Sequence, residues 1–142
     1  MGIDIRGLAP LFEVFDMPAS LAFYRDKLGF RVTGDSGQGD ESGWVMLELG
    51  GATLMLNTMY EDNFQRPPMP DAARVAAHHD TCIYFSCPDV DGVYEYLLGN
   101  GIKANPPSIA PYGMKQLYLS DPDGYNLCFQ WRASNGSARE EG

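Results

Sequence analysis

The chain has 142 residues, 44% of them hydrophobic, which is enough for one domain with a proper core. Its 19 acidic and 10 basic side chains give a formal charge of −9, which argues against a nucleic-acid or anionic-membrane partner and favours cationic small molecules. It has no long apolar run, no leader pattern and only three cysteines without disulfide spacing. We therefore expect a cytoplasmic protein that does not cross a membrane.

The first half of the sequence predicts the order β-α-β-β-β. After a short apolar strand over 11–15, Asp16 marks the start of a helix, and Gly29 marks its end. This helix is expected to turn three side chains inward: Leu21, Tyr24 and Leu28. A polar, glycine-rich loop is predicted over 35–42. The remaining strands of this half are predicted over 30–33, 45–49 and 52–58.

A proline-rich stretch separates the two halves. Residues 65–77 include Pro67, Pro68 and Pro70, which favours a linker over core structure. We predict a single domain over 1–132, followed by a flexible polar tail over 133–142. Within that domain we predict module one at 8–62, the linker at 63–79 and module two at 80–132.

The second half repeats the pattern of the first. A strand over 81–86 leads to Asp89 as a helix cap, and Gly99-Asn100-Gly101 ends the helix. Three side chains of this helix are expected to point inward: Val93, Tyr96 and Leu97. Further strands are predicted at Ile102, over 117–119 and over 126–131, with Asp121-Pro122-Asp123-Gly124 as a turn.

The two halves are related by a constant offset. Residues 51–56 align with 124–129, and the strand before Asp16 aligns with the strand before Asp89, both at a spacing of 73 residues. Each copy is too small to bury its apolar face alone. The duplication therefore predicts pseudo-symmetric halves packed around a shared cavity.

Two segments carry a family resemblance. Residues 16–30 (DMPASLAFYRDKLGF) resemble the first-helix signature of the vicinal oxygen chelate superfamily, which includes glyoxalase I, extradiol dioxygenases, fosfomycin-resistance enzymes and bleomycin-resistance proteins. Residues 111–113 and 121–125 resemble its closing signature. The resemblance covers residues 8–132. It implies an α+β fold of two tandem β-α-β-β-β modules forming a cupped, barrel-like mixed sheet, and a homodimer.

Metal-using members of this family carry four ligands, usually two histidines and two glutamates, on the first and last strands of each module. Carried over residue by residue, these positions are Ala9, Met55, Cys82 and Cys128. A methyl group cannot bind a metal, and thioether and thiol groups favour soft ions over the hard or borderline ions that oxygen chelation needs. The resemblance therefore implies a member with neither a metal nor another cofactor.

The pair Cys82 and Cys128 has several interpretations. The two thiols either form a labile disulfide, or hold a soft ion with His78 or His79, or fill space as small hydrophobic groups. We favour space filling, since no lysine, arginine or neighbouring cysteine in the sequence lowers either thiol pKa. Adjacent histidines point to different sides of an extended chain, which argues against a shared site at His78 and His79.

Strand alternation predicts which side chains line the expected cavity, because residues two apart share one face of a sheet. The opposite face is expected to be apolar: Phe12, Val14, Leu54, Leu56, Ile83, Phe85, Leu127 and Phe129. A cup of aromatic, amide and carboxylate groups is typical of a small-molecule site. The predicted ligand-binding residues are Glu13, Trp44, Glu48, Met55, Asn57, Cys82, Tyr84, Tyr112, Tyr118, Cys128 and Gln130.

Three functions remain open from the sequence. The favoured one is metal-free capture of an amphipathic or cationic small molecule, similar to bleomycin-resistance proteins. The second is a lyase, isomerase or dioxygenase of the same fold, which needs a divalent ion on unexpected ligands or Glu13 as a catalytic base. The third is an interaction or regulatory module with a vestigial cup.

Overall fold

The first structural unit, Met1–Pro70, has the predicted order β-α-β-β-β. The computed structural model describes residues 2–60 and 65–133. The elements of this unit are β1 (Leu11–Glu13), α1 (Met17–Leu21), β2 (Arg31–Asp35), β3 (Trp44–Leu49) and β4 (Ala52–Asn57). Helix α1 continues as a π-helical segment over Ala22–Lys27, and the polar loop contains a short 3-10 turn at Gly39–Glu41.

Helix α1 starts and stops where the sequence predicts. The Asp16 carboxylate accepts a hydrogen bond from the Ala19 backbone N–H at 3.4 Å, which supplies the N-cap. Gly29 has a φ of 95°, a left-handed conformation that glycine adopts without strain, and the helix has ended there. The three predicted inward side chains are buried: Leu21, Tyr24 and Leu28.

The first sheet has the strand order β1-β4-β3-β2. Strand β1 pairs in parallel with β4, and the other two pairs are antiparallel. The tilted ring contact between Phe12 and Tyr24, with centroids 6.4 Å apart, joins β1 to the helical segment. This helical segment therefore covers the apolar face of the sheet and leaves the alternate positions on the other face.

The second unit, Asp71–Gly142, begins with a helix inside the predicted linker. Its elements are α2 (Ala72–His78), β5 (Cys82–Ser86), α3 (Val90–Gly99), β6 (Ser108–Ile109), β7 (Met114–Ser120) and β8 (Asn126–Arg132). The prolines stop at Pro70, and Asp71 then caps α2 by accepting from the Ala73 N–H at 2.9 Å. The linker prediction missed this helix, because the prolines precede it and do not interrupt it.

Helix α2 is fixed to the turn between β7 and β8. The His78 Nδ1–H donates to the Asp123 carbonyl at 2.7 Å, and the imidazole stacks on the Tyr125 ring with centroids 4.0 Å apart. The Asp121 carboxylate accepts from the Asp123 and Tyr125 N–H groups, each at 2.9 Å, and closes the predicted turn. His78 therefore has a structural partner within its own unit.

Helix α3 confirms two sequence predictions and corrects two others. Asp89 caps it through the Gly92 N–H at 2.9 Å, and Gly101 follows its end with a φ of 78°. Ile102 was expected in a strand, but its N–H bonds to the Leu97 carbonyl at 2.9 Å as part of the helix C-cap, and its side chain is buried there. The second strand of this unit is instead the short β6.

The inward face of α3 also differs from the expectation. Val90 and Leu97 are buried and seven residues apart, whereas Tyr96 is 50% exposed. Successive helix residues differ by about 100° in direction, so Tyr96 cannot share the buried stripe that Leu97 occupies.

The second sheet has the order β5-β8-β7-β6 and repeats the first, with β5 and β8 parallel and the other pairs antiparallel. The predicted α+β fold of two β-α-β-β-β modules is confirmed, and the eight described strands form two four-stranded mixed sheets. None of the helices in the described ranges could span a bilayer. The predicted tail over 134–142, the linker residues 63–64 and the end of module one at 61–62 lie outside the described residues.

Candidate functional site

Each sheet has a buried face and a face that remains accessible. On the first sheet the burial alternates residue by residue, with Val45, Leu47, Leu54 and Leu56 at 1% exposure or less. Their neighbours in β3 and β4 are half-buried, as is Glu13 in β1. The predicted alternation is therefore confirmed for this unit. Its accessible face carries Leu11, Glu13, Trp44, Met46, Glu48, Thr53, Met55 and Asn57.

A carboxylate–amide pair lies on this accessible face. Glu13 is the register partner of Asn57 in the parallel β1–β4 pair. The Asn57 Nδ2 donates to the two Glu13 carboxylate oxygens at 3.2 and 3.4 Å. Trp44 is the cross-strand partner of Asn57 on its other side, so the indole, the amide and the carboxylate follow one another across three strands.

The second carboxylate of this face has a partner that the sequence did not reveal. Glu48 lies opposite Arg31 in β2, with 3.6 Å between Oε1 and the guanidinium Nη2. A register shift between Val32 and Gly34 changes which residues of β2 share a face. Simple alternation cannot locate such a shift, so Arg31 was missed.

The Trp44 indole lies next to Gly34 on the same sheet. A Cβ built on Gly34 would lie 3.7 Å from two atoms of the Trp44 ring, which is ordinary contact distance. The indole therefore lies along the Gly34 backbone. A flat aromatic surface of this kind can stack on a cation or on another ring.

The accessible face of the second sheet carries phenols, thiols and amides. Tyr84 and Tyr118 are both cross-strand partners of Cys128, and they are 51% and 46% exposed. The two phenol oxygens are 3.3 Å apart, and the rings meet edge to face with centroids 6.3 Å apart. Cys82 is half-buried and is paired with Asn126, so it is diagonal to Cys128 and not directly opposite it.

Gln116 connects the other polar groups of this face. It is 6% exposed, and its Nε2 donates to the Tyr112 hydroxyl at 2.9 Å and to the Gln130 Oε1 at 2.8 Å. Its Oε1 accepts from the Tyr118 hydroxyl at 3.4 Å. The structure therefore joins Tyr112, Tyr118 and Gln130 into one network. Gln116 lay on the predicted face but was not singled out, since a lone glutamine in a strand gives no sequence signal.

The ionisable groups of the second sheet favour their neutral forms. Burial is the main cause that raises the pKa of the Cys128 thiol to about 11, and burial also raises the pKa of Cys82. The hydrogen bond with Tyr84, followed by desolvation, raises the pKa of the Tyr118 phenol. Thiols that stay protonated are poor nucleophiles and poor metal ligands.

The donor set does not fit a hard metal ion. The ligand-equivalent positions are occupied by a methyl group at Ala9, which precedes β1, by the Met55 thioether and by the two thiols. Within residues 2–60 and 65–133, no three His, Cys, Asp or Glu side chains are grouped as a metal site would require. We therefore derive no chemical step through a metal.

A cavity of about 430 Å³ opens elsewhere on the second unit and contains none of the predicted site residues. It is lined by Pro88, Asp89, Val90, Asp91, Lys115, Trp131, Arg132 and Ala133. Lys115 and Trp131 have the opposite strand parity to Gln116 and Gln130, so this cavity lies on the other face of the sheet.

Comparison with known proteins agrees with this architecture. Residues 11–129 match the family model described as "Glyoxalase/Bleomycin resistance protein/Dioxygenase superfamily". No functionally curated protein shows significant sequence similarity to the chain.

Several solved structures share the fold at low sequence identity. A glyoxalase/bleomycin resistance protein/dioxygenase from Nocardioides superposes with a TM-score of 0.67 at 19% identity, covering 99% of this chain and 93% of that one. TioX from Micromonospora sp. ML1 gives 0.68 at 17% identity, covering 89% and 98%. A bleomycin resistance determinant encoded on the transposon Tn5 gives 0.66 at 19% identity, covering 90% and 98%.

Proposed function

Because the chain belongs to the glyoxalase/bleomycin resistance protein/dioxygenase superfamily, we propose that it captures an amphipathic or cationic small molecule without using a metal. The observation that carries this proposal is the chemistry of the accessible sheet faces. They present an indole, phenols, amides and carboxylates, whereas the positions at which metal-using relatives need hard donors hold a methyl group, a thioether and two thiols. Binding by such a surface requires neither a Lewis acid nor a nucleophile.

The first sheet supplies the groups that suit a cation. The Glu13 carboxylate and the Trp44 indole lie on the same face, and the Glu48 carboxylate lies on that face four residues further along β3, next to Arg31. A cation over an indole gains about 0.5 to 2 kcal/mol, depending on how far it is desolvated. The formal charge of −9 adds a long-range attraction for cations that falls with ionic strength.

The second sheet supplies the groups that suit an uncharged ligand surface. Tyr84 and Tyr118 expose aromatic area, and the Gln116 network fixes the direction of the polar groups beside them. The half-buried Cys82 and Met55 complete the two faces as polarisable apolar contacts, whereas Cys128 is fully buried and offers no surface to a ligand.

The proposal is tested with benzyltrimethylammonium as the probe. We expect it to raise the melting temperature of the full chain and to quench tryptophan fluorescence, because a ligand that binds only the folded state stabilises it. The double variant Glu13→Gln/Glu48→Gln should lower the affinity several-fold. Asp80→Asn/Glu95→Gln removes the same two charges elsewhere and serves as the control. If both double variants lose the same affinity for the probe, the net charge of the protein explains the loss, and the proposed site is contradicted.

Metal analysis addresses the enzymatic alternative. Protein purified without a histidine tag is analysed by mass spectrometry for Mn, Fe, Ni and Zn. The capture proposal expects amounts far below one ion per chain. Near-stoichiometric metal would overturn it in favour of a lyase, isomerase or dioxygenase.

We also propose that the chain forms a homodimer. Strands β1 and β2 are the outer strands of the first sheet, and an outer strand is a surface that a second chain could cover. Light scattering coupled to size exclusion measures the mass directly. A mass of 15.7 kDa at micromolar concentration would contradict the dimer.

A further inference from the structure

The amide of Gln116 has a defined orientation on the second sheet. Its Nε2 carries two hydrogens, and both have acceptors, the Tyr112 hydroxyl oxygen at 2.9 Å and the Gln130 Oε1 at 2.8 Å. Its Oε1 accepts from the Tyr118 hydroxyl. Gln116 is 6% exposed, so water competes little for these hydrogen bonds.

The orientation of the Gln116 amide determines which donor hydrogens of Tyr112 and Gln130 are not used in bonds to Gln116. The Tyr112 oxygen accepts from Gln116, so its own O–H hydrogen points away from that bond. Gln130 also accepts through Oε1, so its NH₂ group with two donors is turned away from Gln116. In the described part of the chain, neither the Tyr112 hydrogen nor the Gln130 NH₂ group has a protein acceptor.

The two sets of donors lie close together. Tyr112 and Gln130 both contact the same nitrogen of Gln116, so they flank a single point of the face. The Tyr112 side chain is 69% exposed, and Gln130 is half-buried. A ligand carbonyl oxygen has two lone pairs and can accept from two donors.

The rings of Tyr84 and Tyr118 lie near these donors and form an aromatic wall. Tyr118 reaches Gln116 through its hydroxyl, and Tyr84 contacts Tyr118 edge to face. The Tyr84 and Tyr118 hydroxyl oxygens lie 3.3 Å apart, within hydrogen-bond distance of each other. The wall therefore offers ring surface at its exposed side while its hydroxyl groups are engaged with each other and with the network.

We infer that this corner of the second sheet binds the neutral carbonyl oxygen of an aromatic ligand, as in an aryl ketone, ester or amide. The oxygen accepts from Tyr112 and Gln130, and the aryl group contacts Tyr84 and Tyr118. A carboxylate would meet the same donors against the negative field of the chain. The inference rests on the proposed capture function and specifies the ligand chemistry of one of its surfaces.

The test uses two probes with one carbon skeleton. Acetophenone has a carbonyl acceptor, and 1-phenylethylamine replaces it with an ammonium donor. Each is titrated into the ¹⁵N-labelled full chain, and the shifts are followed at the backbone amides of β7 and β8 and at the Gln130 side-chain NH₂. We expect acetophenone to bind here with at least threefold higher affinity than the amine, the factor that one or two hydrogen bonds provide, roughly 3- to 10-fold.

Gln130→Glu is the matched variant. A carboxylate at this position still accepts from the Gln116 Nε2, so the network is kept, but both donors are replaced by a charged acceptor. We expect acetophenone to bind roughly 3- to 10-fold more weakly and the amine to bind more tightly than to the wild type. Ser120→Ala is the control, because the Ser120 hydroxyl donates to the Asn126 Oδ1 on the same face without taking part in the network.

The outcomes separate this inference from the proposed function. Equal affinity for the two probes at β7 and β8, no acetophenone-dependent shift there, or an unchanged preference in Gln130→Glu would overturn the carbonyl site. Benzyltrimethylammonium is titrated into the same sample and followed at β3 and β4. If its binding persists while acetophenone fails, the capture function stands without this site. If both fail, the capture function is also wrong.

Discussion

Glu13 and Asn57 face each other across the parallel strands β1 and β4, and one amide nitrogen donates to both carboxylate oxygens. The equivalent pair in the second unit, 73 residues later, is Ser86 and Gln130, which are also register partners. The duplicated backbone is thus kept while the side chains differ. At this pair of positions the first unit has the negative charge of Glu13, and the second unit has the amide donors of Gln130.

We predict that Asn57→Asp destabilises the protein in a pH-dependent way. Two carboxylates directly opposite each other repel, which should lower the free energy of unfolding by about 1 kcal/mol at pH 7. The penalty should disappear as the pH falls through about 4, where carboxylates become protonated. Urea unfolding at pH 7 and pH 4 measures both values.

Gln130→Glu is the control for this pair, since it places the same new charge at the equivalent position opposite Ser86. The free energy of unfolding of Gln130→Glu should not recover to a comparable extent when the pH is lowered from 7 to 4. A loss in Asn57→Asp that stays constant from pH 7 to pH 4 would contradict the electrostatic explanation.

We predict that Trp44→Leu weakens the binding of benzyltrimethylammonium by a factor of about 3 to 10, because the cation–π contact with the indole is lost. Trp131→Leu is the matched control, since Trp131 is 38% exposed and lies on the face of the second sheet opposite to Gln130. Each variant retains one tryptophan. Fluorescence titration of both then shows which indole the probe quenches, and quenching of Trp131 alone would contradict the assignment.

We predict that Cys128 makes stability depend on pH in the alkaline range. Its thiol pKa rises from 9.0 to about 11 on folding, so the folded state holds the proton more tightly than the unfolded chain. The protonated thiol contributes about 2 to 3 kcal/mol to the free energy of unfolding. This contribution is fully present below pH 9.0, decreases as the pH rises further and is lost by about pH 11.

Chemical denaturation at pH 8, 9.5 and 11 measures this dependence in the wild type and in Cys128→Ala. The alanine variant should be less stable at pH 8 because a buried side chain has been shortened, but it should lose less stability on going to pH 11. Parallel curves for the two proteins would rule out Cys128 as the source.

We predict that Gly124→Ala destabilises the protein by about 2 kcal/mol or more. Gly124 has a φ of 90°, and a Cβ there would lie 2.6 Å from the Val75 carbonyl oxygen of α2. Gly99→Ala, at the end of α3, is the control. A Cβ at Gly99 meets no atom within 4 Å, so this variant should be neutral or gain up to about 1 kcal/mol. Thermal unfolding of both variants tests the contrast.

Much of the fold could be predicted from local sequence signals. Asp16 and Asp89 cap helices through their own side chains, and Gly29 and Gly101 follow helix ends with positive φ, so each of these signals acts within a few residues of itself. The alternation of β3 and β4 is equally local. Two predictions failed at α3. Ile102 became part of a helix cap and not a strand, and Tyr96 lies outside the buried stripe of the helix.

The sequence by itself determined the family, the duplicated β-α-β-β-β order and the residue types on the accessible faces, because caps, turns and alternation are written in short stretches of chain. Only the tertiary structure decided the hydrogen-bond direction around Gln116, the pairing of Arg31 with Glu48, and the attachment of His78 to Asp123. These contacts join residues that are 14, 17 and 45 positions apart. Their formation depends on strand register and on a bulge, which fix neighbours through backbone geometry that no local pattern encodes.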